Sequence, residues 1–205
     1  MTKIKICGIY KDEDADLVNT YRPDYFGMVI DFPKSHRNVN NTMAEHLREL
    51  ISDDIPAVGV FVNRPISQVE ELLQDGIINI AQLHGDEDDD YIDKLKKKGF
   101  EVWKTFKIRS IDDIENAKKS HADLILLDNG YGTGESFDWR LIRGIERPFA
   151  LAGGLRVDNI KEAIDKYSPY LLDISSGVET NGAKDGRKIK ECVEAVRSLK
   201  IKTEE

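Results

Sequence analysis

Asp128 lies where an acidic side chain can act as a catalytic proton donor. Residues 124–127 form a short apolar run without a helical period, which predicts a buried strand ending at this carboxyl group. Gly130, Gly132 and Gly134 follow closely and predict a loop that can adopt positive φ angles. A carboxylic acid at the base of such a loop suggests a general acid under a closing lid. On this stretch alone, a loop-bracing or helix-capping role for Asp128 stays open.

Cys7 is the second candidate for proton transfer. It ends a predicted strand over residues 3–7 and shares one strand face with Lys5, so both side chains should point into the interior. A nearby ammonium favours the thiolate form of a cysteine, which can act as a general base. A buried Lys5 needs a counter-charge, and we expect Asp173 to supply it. Cys192, on the apolar side of the predicted last helix, is expected to be an inert core residue.

Strands and helices alternate along the whole chain. Apolar or alternating runs predict strands at 3–7, 25–30, 57–62, 78–83, 101–106, 124–127, 149–152 and 170–174. Amphipathic patterns predict helices at 12–21, 43–51, 66–73, 88–97, 111–118, 158–167 and 186–199. A further helix is predicted to begin at Trp139, with Asp138 as its N-cap. No change in composition marks a domain boundary, so we predict one domain over residues 1–205.

This alternation predicts a parallel sheet with helical crossovers. The predicted fold class is therefore α/β. Eight strand–helix units in one short chain favour a single closed (β/α)₈ TIM barrel, near the lower size limit of that fold. The alternative is an open doubly wound sheet, which usually carries a glycine-rich nucleotide turn after its first strand. Residues 7–10 read Cys-Gly-Ile-Tyr, which is no dinucleotide fingerprint. We therefore predict the barrel.

Composition excludes several classes of function. The formal net charge of −8 disfavours general binding to nucleic acid. No apolar run approaches the roughly 20 residues of a membrane span, and the N-terminus has no signal-peptide pattern. The two cysteines form neither a disulfide framework nor a zinc-binding spacing, so no metal site is predicted. We expect a cytoplasmic protein without membrane or nucleic-acid partners.

Two glycine-bearing turns are predicted where such a barrel binds phosphate. Gly153 and Gly154 follow the seventh predicted strand, and Ser176 and Gly177 follow the eighth. Loops at these places often bind phosphate through backbone N–H groups, and glycine allows the close approach that this needs. The alternative is that the glycines only make tight turns. Their occurrence after both strands favours a phosphate site.

Three further polar residues fall near predicted strand ends. Arg37 lies in a polar loop after the second strand, where its guanidinium could hold a carboxylate with two hydrogen bonds or could be solvated. Gln82 and His84 have the same strand parity, so one or both could face the mouth of the barrel and orient a substrate. A purely structural histidine is the alternative. Together, the strand ends predict a site for a small anionic substrate.

Ordered segments along nearly the whole chain resemble the phosphoribosylanthranilate isomerase family of tryptophan biosynthesis. The matching segments are residues 5–9, 35–37, 58–63, 82–87, 132–134 with 137–139, 151–155, and 175–179 with 184–185. The resemblance implies a TIM barrel and an Amadori rearrangement without a cofactor. The substrate would be N-(5-phosphoribosyl)anthranilate, and the product 1-(2-carboxyphenylamino)-1-deoxyribulose 5-phosphate.

The resemblance also implies roles for individual residues. Asp128 would be the general acid that opens the ribose ring, and Cys7 the general base that removes the C2′ proton. Arg37 would bind the anthranilate carboxylate, and the turns at Gly154 and at residues 176–177 would bind the phosphate. A small phosphosugar is therefore the expected partner. The sequence leaves a monomer and a homodimer open.

Two residues depart from the usual family pattern. His36 replaces a proline that is more frequent between the serine and arginine, which could loosen the Arg37 loop. Glu135 places a negative charge near an anionic ligand. Alternative functions are another phosphate-binding barrel, such as indole-glycerol-phosphate synthase or a pentose-phosphate epimerase, and a binding module without catalysis. Cys7 at the end of the first strand and the lack of an evident His/Asp metal cluster argue against the first alternative. The presence of both Cys7 and Asp128 argues against the second.

Overall fold

Eight parallel strands close into a barrel. The computed structural model describes residues 2–128, 138–142 and 144–201, the last three by their backbone only. The barrel strands are β1 (Lys3–Cys7), β2 (Tyr25–Ile30), β4 (Ala57–Phe61), β5 (Ile80–Leu83), β6 (Glu101–Lys107), β7 (Leu124–Asp128), β8 (Phe149–Ala152) and β9 (Leu171–Ile174). Their order is β1–β9–β8–β7–β6–β5–β4–β2, and the pairing of β1 with β2 closes the ring. The predicted barrel is confirmed.

Three short strands lie outside the ring. β3 (Asn38–Val39) pairs with β2, whereas β10 (Glu179–Thr180) and β11 (Ala183–Lys184) form an antiparallel hairpin before the last helix. The α-helices are α1 (Asp12–Tyr21), α2 (Asn41–Leu50), α3 (Ile66–Gln74), α4 (Asp89–Lys97), α5 (Ile111–Lys119), α6 (Val157–Tyr167) and α7 (Gly186–Ile201). Among the described residues, no helix has the length and apolar character to cross a membrane.

The helix predicted to begin at Trp139 is wrong in type and length. Asp138 does cap this segment, since its carboxylate accepts a hydrogen bond of 3.0 Å from the Arg140 N–H, but only a 3-10 turn follows over Trp139–Leu141. Gly144 adopts a φ of +61°, which interrupts right-handed helical geometry, and Pro148 disfavours a helical residue before it. The segment before β8 is therefore too short for a full helix.

Strand alternation divides the apolar core in two. On β7, Ile125 and Leu127 pack in the larger cluster with residues of the surrounding helices, and Leu124 and Leu126 belong to a second cluster. The second cluster contains Tyr25, Val58, Ile80, Trp103, Leu124, Leu126, Ala150 and Leu171. Because successive side chains on a strand point to opposite faces, this second cluster fills the barrel interior. It forms the floor on which the polar residues at the strand ends rest.

Candidate active site

One cleft opens at the carboxyl ends of the barrel strands. It holds about 740 Å³ of space, some of it continuous with solvent. All the site residues predicted from the sequence line its wall: Cys7, Arg37, Gln82, His84, Asp128, Gly153, Gly154, Ser176 and Gly177. They end or follow six of the eight barrel strands, namely β1, β2, β5, β7, β8 and β9. The structure thus brings these residues together, while their individual roles stay predictions.

A layer of polar side chains lies inside the barrel between the apolar floor and the cleft. Lys5, which is completely buried, donates to both carboxylate oxygens of Asp173 at 2.9 and 3.0 Å. Asp173 is its direct neighbour in the pairing of β1 with β9, so the expected counter-charge is present. Lys5 also donates to Gln82 Oε1 at 2.9 Å, and Gln82 Nε2 donates to Thr105 Oγ1 at 3.2 Å. Both polar ends of the Gln82 amide therefore have protein partners, and its substrate contact stays a prediction.

Lys5 favours the thiolate form of Cys7, as expected, but burial outweighs this effect. Burial raises the pKa of the Cys7 thiol, the Lys5 ammonium lowers it, and the Asp173 carboxylate raises it again. The net pKa lies above the ordinary value because burial outweighs the Lys5 ammonium, whose effect the Asp173 carboxylate also opposes. Cys7 is thus mainly a thiol near neutral pH. If it acts as a base, it does so through a minor thiolate fraction.

Asp128 and His84 lie next to each other in the wall of the cleft. The His84 Nε2 lies 3.6 Å from the Asp128 Oδ2, which is longer than a normal hydrogen bond. Burial lowers the pKa of His84, and the Asp128 carboxylate only partly opposes this shift. The imidazole is therefore mainly neutral near neutral pH. A neutral imidazole beside a carboxyl group can orient that group or exchange a hydrogen bond with a bound substrate.

The predicted lid cannot be placed. Gly130, Gly132, Gly134 and Glu135 all lie outside the described residues, which resume at Asp138. At the end of β7, the backbone oxygen of Asp128 accepts a hydrogen bond of 2.8 Å from the Ile108 N–H. This bond fixes the backbone from which the acidic side chain projects into the cleft.

Arg37 already has a carboxylate partner within the protein. Its Nε and Nη2 donate to the two carboxylate oxygens of Glu179 at 2.6 and 2.7 Å. Lys184 Nζ also donates to Glu179 Oε1, at 2.8 Å, and to the Ser175 backbone oxygen, at 3.1 Å. The Arg37 side chain crosses directly above Gly8, where a Cβ would lie 2.3 Å from the Arg37 Cδ. Arg37 is thus held at the cleft by an ion pair that the sequence did not predict.

Glu179 and Lys184 are the residues that sequence reasoning missed. They lie opposite each other in the β10–β11 hairpin, whose turn residues Asn181 and Gly182 have φ values of +53° and +78°. An Asn-Gly pair is a strong signal for a two-residue hairpin, because both positions need positive φ. That signal could have paired Glu179 with Lys184. Nothing local indicated that the pair reaches Arg37.

The two glycine-bearing turns meet at one side of the cleft. Gly153 and Gly154 have φ values of +79° and +67°, which L side chains rarely adopt. Gly177 lies in the 3-10 helix Ser176–Val178, and a Cβ there would lie 1.8 Å from the Leu155 backbone oxygen. Glycine is therefore required for backbone shape at the first turn and for close packing at the second. The arrangement exposes backbone to the cleft, as a phosphate site requires.

Clustered metal ligands are not found in the part of the chain that the structure describes: no group of three or more histidine, cysteine, aspartate or glutamate side chains could hold a metal ion there. The side chains that line the cleft instead offer a thiol, a carboxyl group, an imidazole and a guanidinium. These groups transfer protons and bind anions.

A family model now gives this geometry a context. The model of N-(5′-phosphoribosyl)anthranilate (PRA) isomerases matches residues 4–195. The chain belongs to this family. The PRA isomerase of Clostridium acetobutylicum is 44% identical over 209 aligned residues, which cover 98% of this chain and 100% of the relative. The chain is thus an isomerase of tryptophan biosynthesis.

Solved PRA isomerases share the fold. The crystal structure of the enzyme from Thermotoga maritima superposes with a TM-score of 0.88 at 33% identity, covering 97% of this chain and 100% of that one. A PRA isomerase solved with reduced 1-(o-carboxyphenylamino)-1-deoxyribulose 5-phosphate gives a TM-score of 0.85 at 32% identity, with the same coverage.

Proposed function

We propose that this chain converts N-(5′-phosphoribosyl)anthranilate to its aminoketose with Cys7 as general base and Asp128 as general acid. The observation that carries the proposal is that both groups line one cleft from separate strands, with β8 and β9 between β7 and β1. A substrate in the cleft can therefore contact both groups at once. The reaction needs such a pair, because one step delivers a proton to oxygen and another removes a proton from carbon.

Two proton transfers by the protein's own side chains, followed by a tautomerisation, account for the rearrangement. Asp128 protonates the ribose ring oxygen, the C1′–O bond breaks, and the nitrogen lone pair forms a C1′=N bond. The Cys7 thiolate then removes the C2′ proton, whose bonding electrons form C1′=C2′ while the C=N electrons return to nitrogen. The resulting enolamine gains a proton at C1′ and loses one from its C2′ hydroxyl. No proton is gained or lost overall, and no cofactor is needed.

Substrate binding divides between the two sides of the cleft. We assign the phosphate to the backbone of Gly153, Gly154, Ser176 and Gly177, because these turns expose backbone at the rim. Arg37 binds the anthranilate carboxylate beside β1. His84 contacts the substrate next to Asp128, and Gln82 forms the surface beneath it. Fixing both anionic ends sets the sugar carbons between thiol and carboxyl group, and such positioning contributes to the rate independently of proton transfer.

The experiment that tests this assignment is steady-state kinetics with Cys7→Ser and Asp128→Asn. A positioned acid or base contributes roughly 10²- to 10⁴-fold to rate, so we expect each variant to lower kcat by at least about 10²-fold. KM should change far less, because neither group is assigned to binding. Cys192→Ala, which changes the other buried cysteine, is the matched control and should keep kcat. Near-normal turnover in Cys7→Ser or Asp128→Asn would show that the base or the acid is another residue.

We further propose that the chain acts as a monomer or a homodimer and that the reaction takes place in the cytoplasm. The cytoplasmic location is supported by membership in a family of biosynthetic enzymes.

A further inference from the structure

Arg37, Glu179 and Lys184 form an ion-paired cluster at the edge of the cleft. All three side chains are largely withdrawn from water, with exposed fractions of 14%, 7% and 0%. Removing charged groups from water costs free energy, which ion pairing often only partly offsets. Such a cluster therefore needs a compensating benefit. Its location beside Cys7 and Gly8, at the proposed carboxylate end of the cleft, suggests what that benefit is.

The hydrogen bonds to Glu179 use only part of the guanidinium. Glu179 accepts from Nε and Nη2 of Arg37. A guanidinium is a planar group with five N–H donors, and its second edge, formed by the two Nη atoms, can bind another carboxylate. Glu179 therefore fixes the plane of Arg37 without occupying that second edge.

The charge balance also favours an incoming anion. Burial alone would raise the pKa of Glu179, but its hydrogen bond from Arg37 and the charge of Lys184 lower it below its usual value, so Glu179 is a carboxylate. Glu179 alone would neutralise Arg37. Burial lowers the pKa of Lys184, but the Glu179 carboxylate, 2.8 Å away, favours its ammonium form. With Lys184 charged, the net charge of the three residues is +1. The cluster can thus hold Arg37 rigidly and still attract a negative group.

We propose that Glu179 and Lys184 are positioning residues for substrate recognition: Glu179 orients Arg37, and Lys184 anchors Glu179 and preserves the positive charge that binds the substrate carboxylate. The proposal rests on the proposed function, which assigns that carboxylate to Arg37. The hairpin that carries both residues is the element through which the loop after β9 reaches the loop after β2.

A pair of ligands isolates this role. The first probe is reduced 1-(o-carboxyphenylamino)-1-deoxyribulose 5-phosphate, and the second is the same molecule without its carboxylate. The ratio of the two Kd values reports recognition of the carboxylate alone, because fold defects and loss of phosphate binding affect both ligands. For the wild-type chain we expect a ratio of at least about 10, typical of a charge-assisted pair of hydrogen bonds.

The variants are Arg37→Ala, Glu179→Gln, Glu179→Asp and Lys184→Met, with Glu162→Gln as control. Glu162 makes an ion pair with Lys166 on the exposed face of α6, so the control makes the same chemical change far from the cleft.

We expect Glu179→Gln and Lys184→Met to reduce the ratio to within about threefold of 1, to raise KM about tenfold, and to leave kcat within about threefold. In an Arg37→Ala background, Glu179→Gln should change the ratio no further. Glu179→Asp keeps the charge but shortens the reach, and it should give an intermediate ratio.

Each outcome has a separate meaning. An unchanged ratio in Glu179→Gln, together with a lost ratio in Arg37→Ala, would overturn the positioning role and leave the proposed function intact. A higher ratio in Glu179→Gln would also overturn it, since Glu179 would then compete with the substrate for Arg37. An unchanged ratio in Arg37→Ala would instead contradict the carboxylate contact in the proposed function.

Discussion

Cys7 illustrates how two neighbouring residues can have opposite effects on one thiol. Lys5 and Asp173 form an ion pair beneath it, so the carboxylate opposes the attraction of the ammonium for a thiolate. Burial then decides the direction of the pKa shift, which is upward. A base with a high pKa is stronger but less abundant at neutral pH. The environment of Cys7 therefore makes its thiolate a stronger base and lowers the fraction of Cys7 that is ionised near neutral pH.

This environment predicts the pH range over which Cys7 ionises. Because the pKa of Cys7 is raised, the thiol is protonated over a wider pH range, and the reactive thiolate appears only as pH rises towards that pKa. We expect the thiolate of Cys7 to appear at higher pH than the thiolate of an ordinary cysteine. The measurement is the ultraviolet absorbance of the thiolate as a function of pH, in the wild-type chain and in Cys7→Ser. Cys192→Ala removes the other thiol, whose pKa burial raises to about 12. A thiolate that titrates below the ordinary cysteine range would contradict this prediction.

At the scale of elements, the phosphate side of the cleft depends on contact between two turns. The turn after β8 and the 3-10 helix after β9 approach so closely that the Leu155 backbone oxygen occupies the space of a side chain at Gly177. The φ angle of Gly177 is not in the left-handed region, so space rather than backbone conformation requires glycine there. Packing of the two turns fixes which N–H groups can face one phosphate.

Gly177→Ala should therefore separate the two turns. With 1.8 Å between the new Cβ and the Leu155 oxygen, the backbone must move, and we expect KM to rise about tenfold or more. Binding of inorganic phosphate, measured by calorimetry, should weaken in parallel. Gly186→Ala is the matched control, because the three atoms nearest to a Cβ there, at 2.9 to 3.3 Å, belong to the movable side chains of Leu17 and Tyr21 and not to backbone. Unchanged phosphate affinity in Gly177→Ala would exclude these turns as the phosphate site.

The bounds of individual strands can be predicted from the local sequence. Strands such as Lys3–Cys7 and Phe149–Ala152 have the predicted bounds, because they are short apolar or alternating runs that end at glycine. Barrel closure then places Cys7, Asp128 and the glycine turns in one cleft. Contacts between loops far apart in sequence have no such periodic signal. For that reason, the pairing of Arg37 with Glu179 and the binding of Gln82 to Lys5 could not be read from the chain.

On the scale of the whole molecule, catalytic groups and stabilising groups occupy different levels of the barrel. The apolar interior cluster around Trp103 lies at the lower level, the layer of Lys5 and Asp173 lies above it, and the cleft forms the top. Such layering lets the loops at one end carry the chemistry while the floor maintains the fold. Asp14 of α1 does not fit this division between catalytic and stabilising groups. Its carboxyl group is fully buried, yet it does not line the cleft.

Asp14 reduces the stability of the folded chain near neutral pH. Its Oδ2 accepts a hydrogen bond of 3.2 Å from the Tyr10 N–H, but its Oδ1 is buried and has no hydrogen-bond partner within the described ranges. Burial raises the pKa of Asp14, so the folded state binds its proton more tightly than the unfolded state does. This contribution to the free energy of unfolding is fully present below the unfolded pKa and is lost as pH rises through the folded pKa.

We therefore expect Asp14→Asn to raise the free energy of unfolding by about 1 kcal/mol near pH 7, because the amide keeps an acceptor for Tyr10 and removes a buried charge. The advantage should shrink as pH falls towards about 4, where the wild-type carboxyl group is itself protonated. Urea unfolding of both chains across this pH range measures the difference. Asp16→Asn, on the exposed side of the same helix, should stay within about 0.5 kcal/mol of wild type. A difference between Asp14→Asn and wild type that does not vary with pH would show that the buried charge is not its cause.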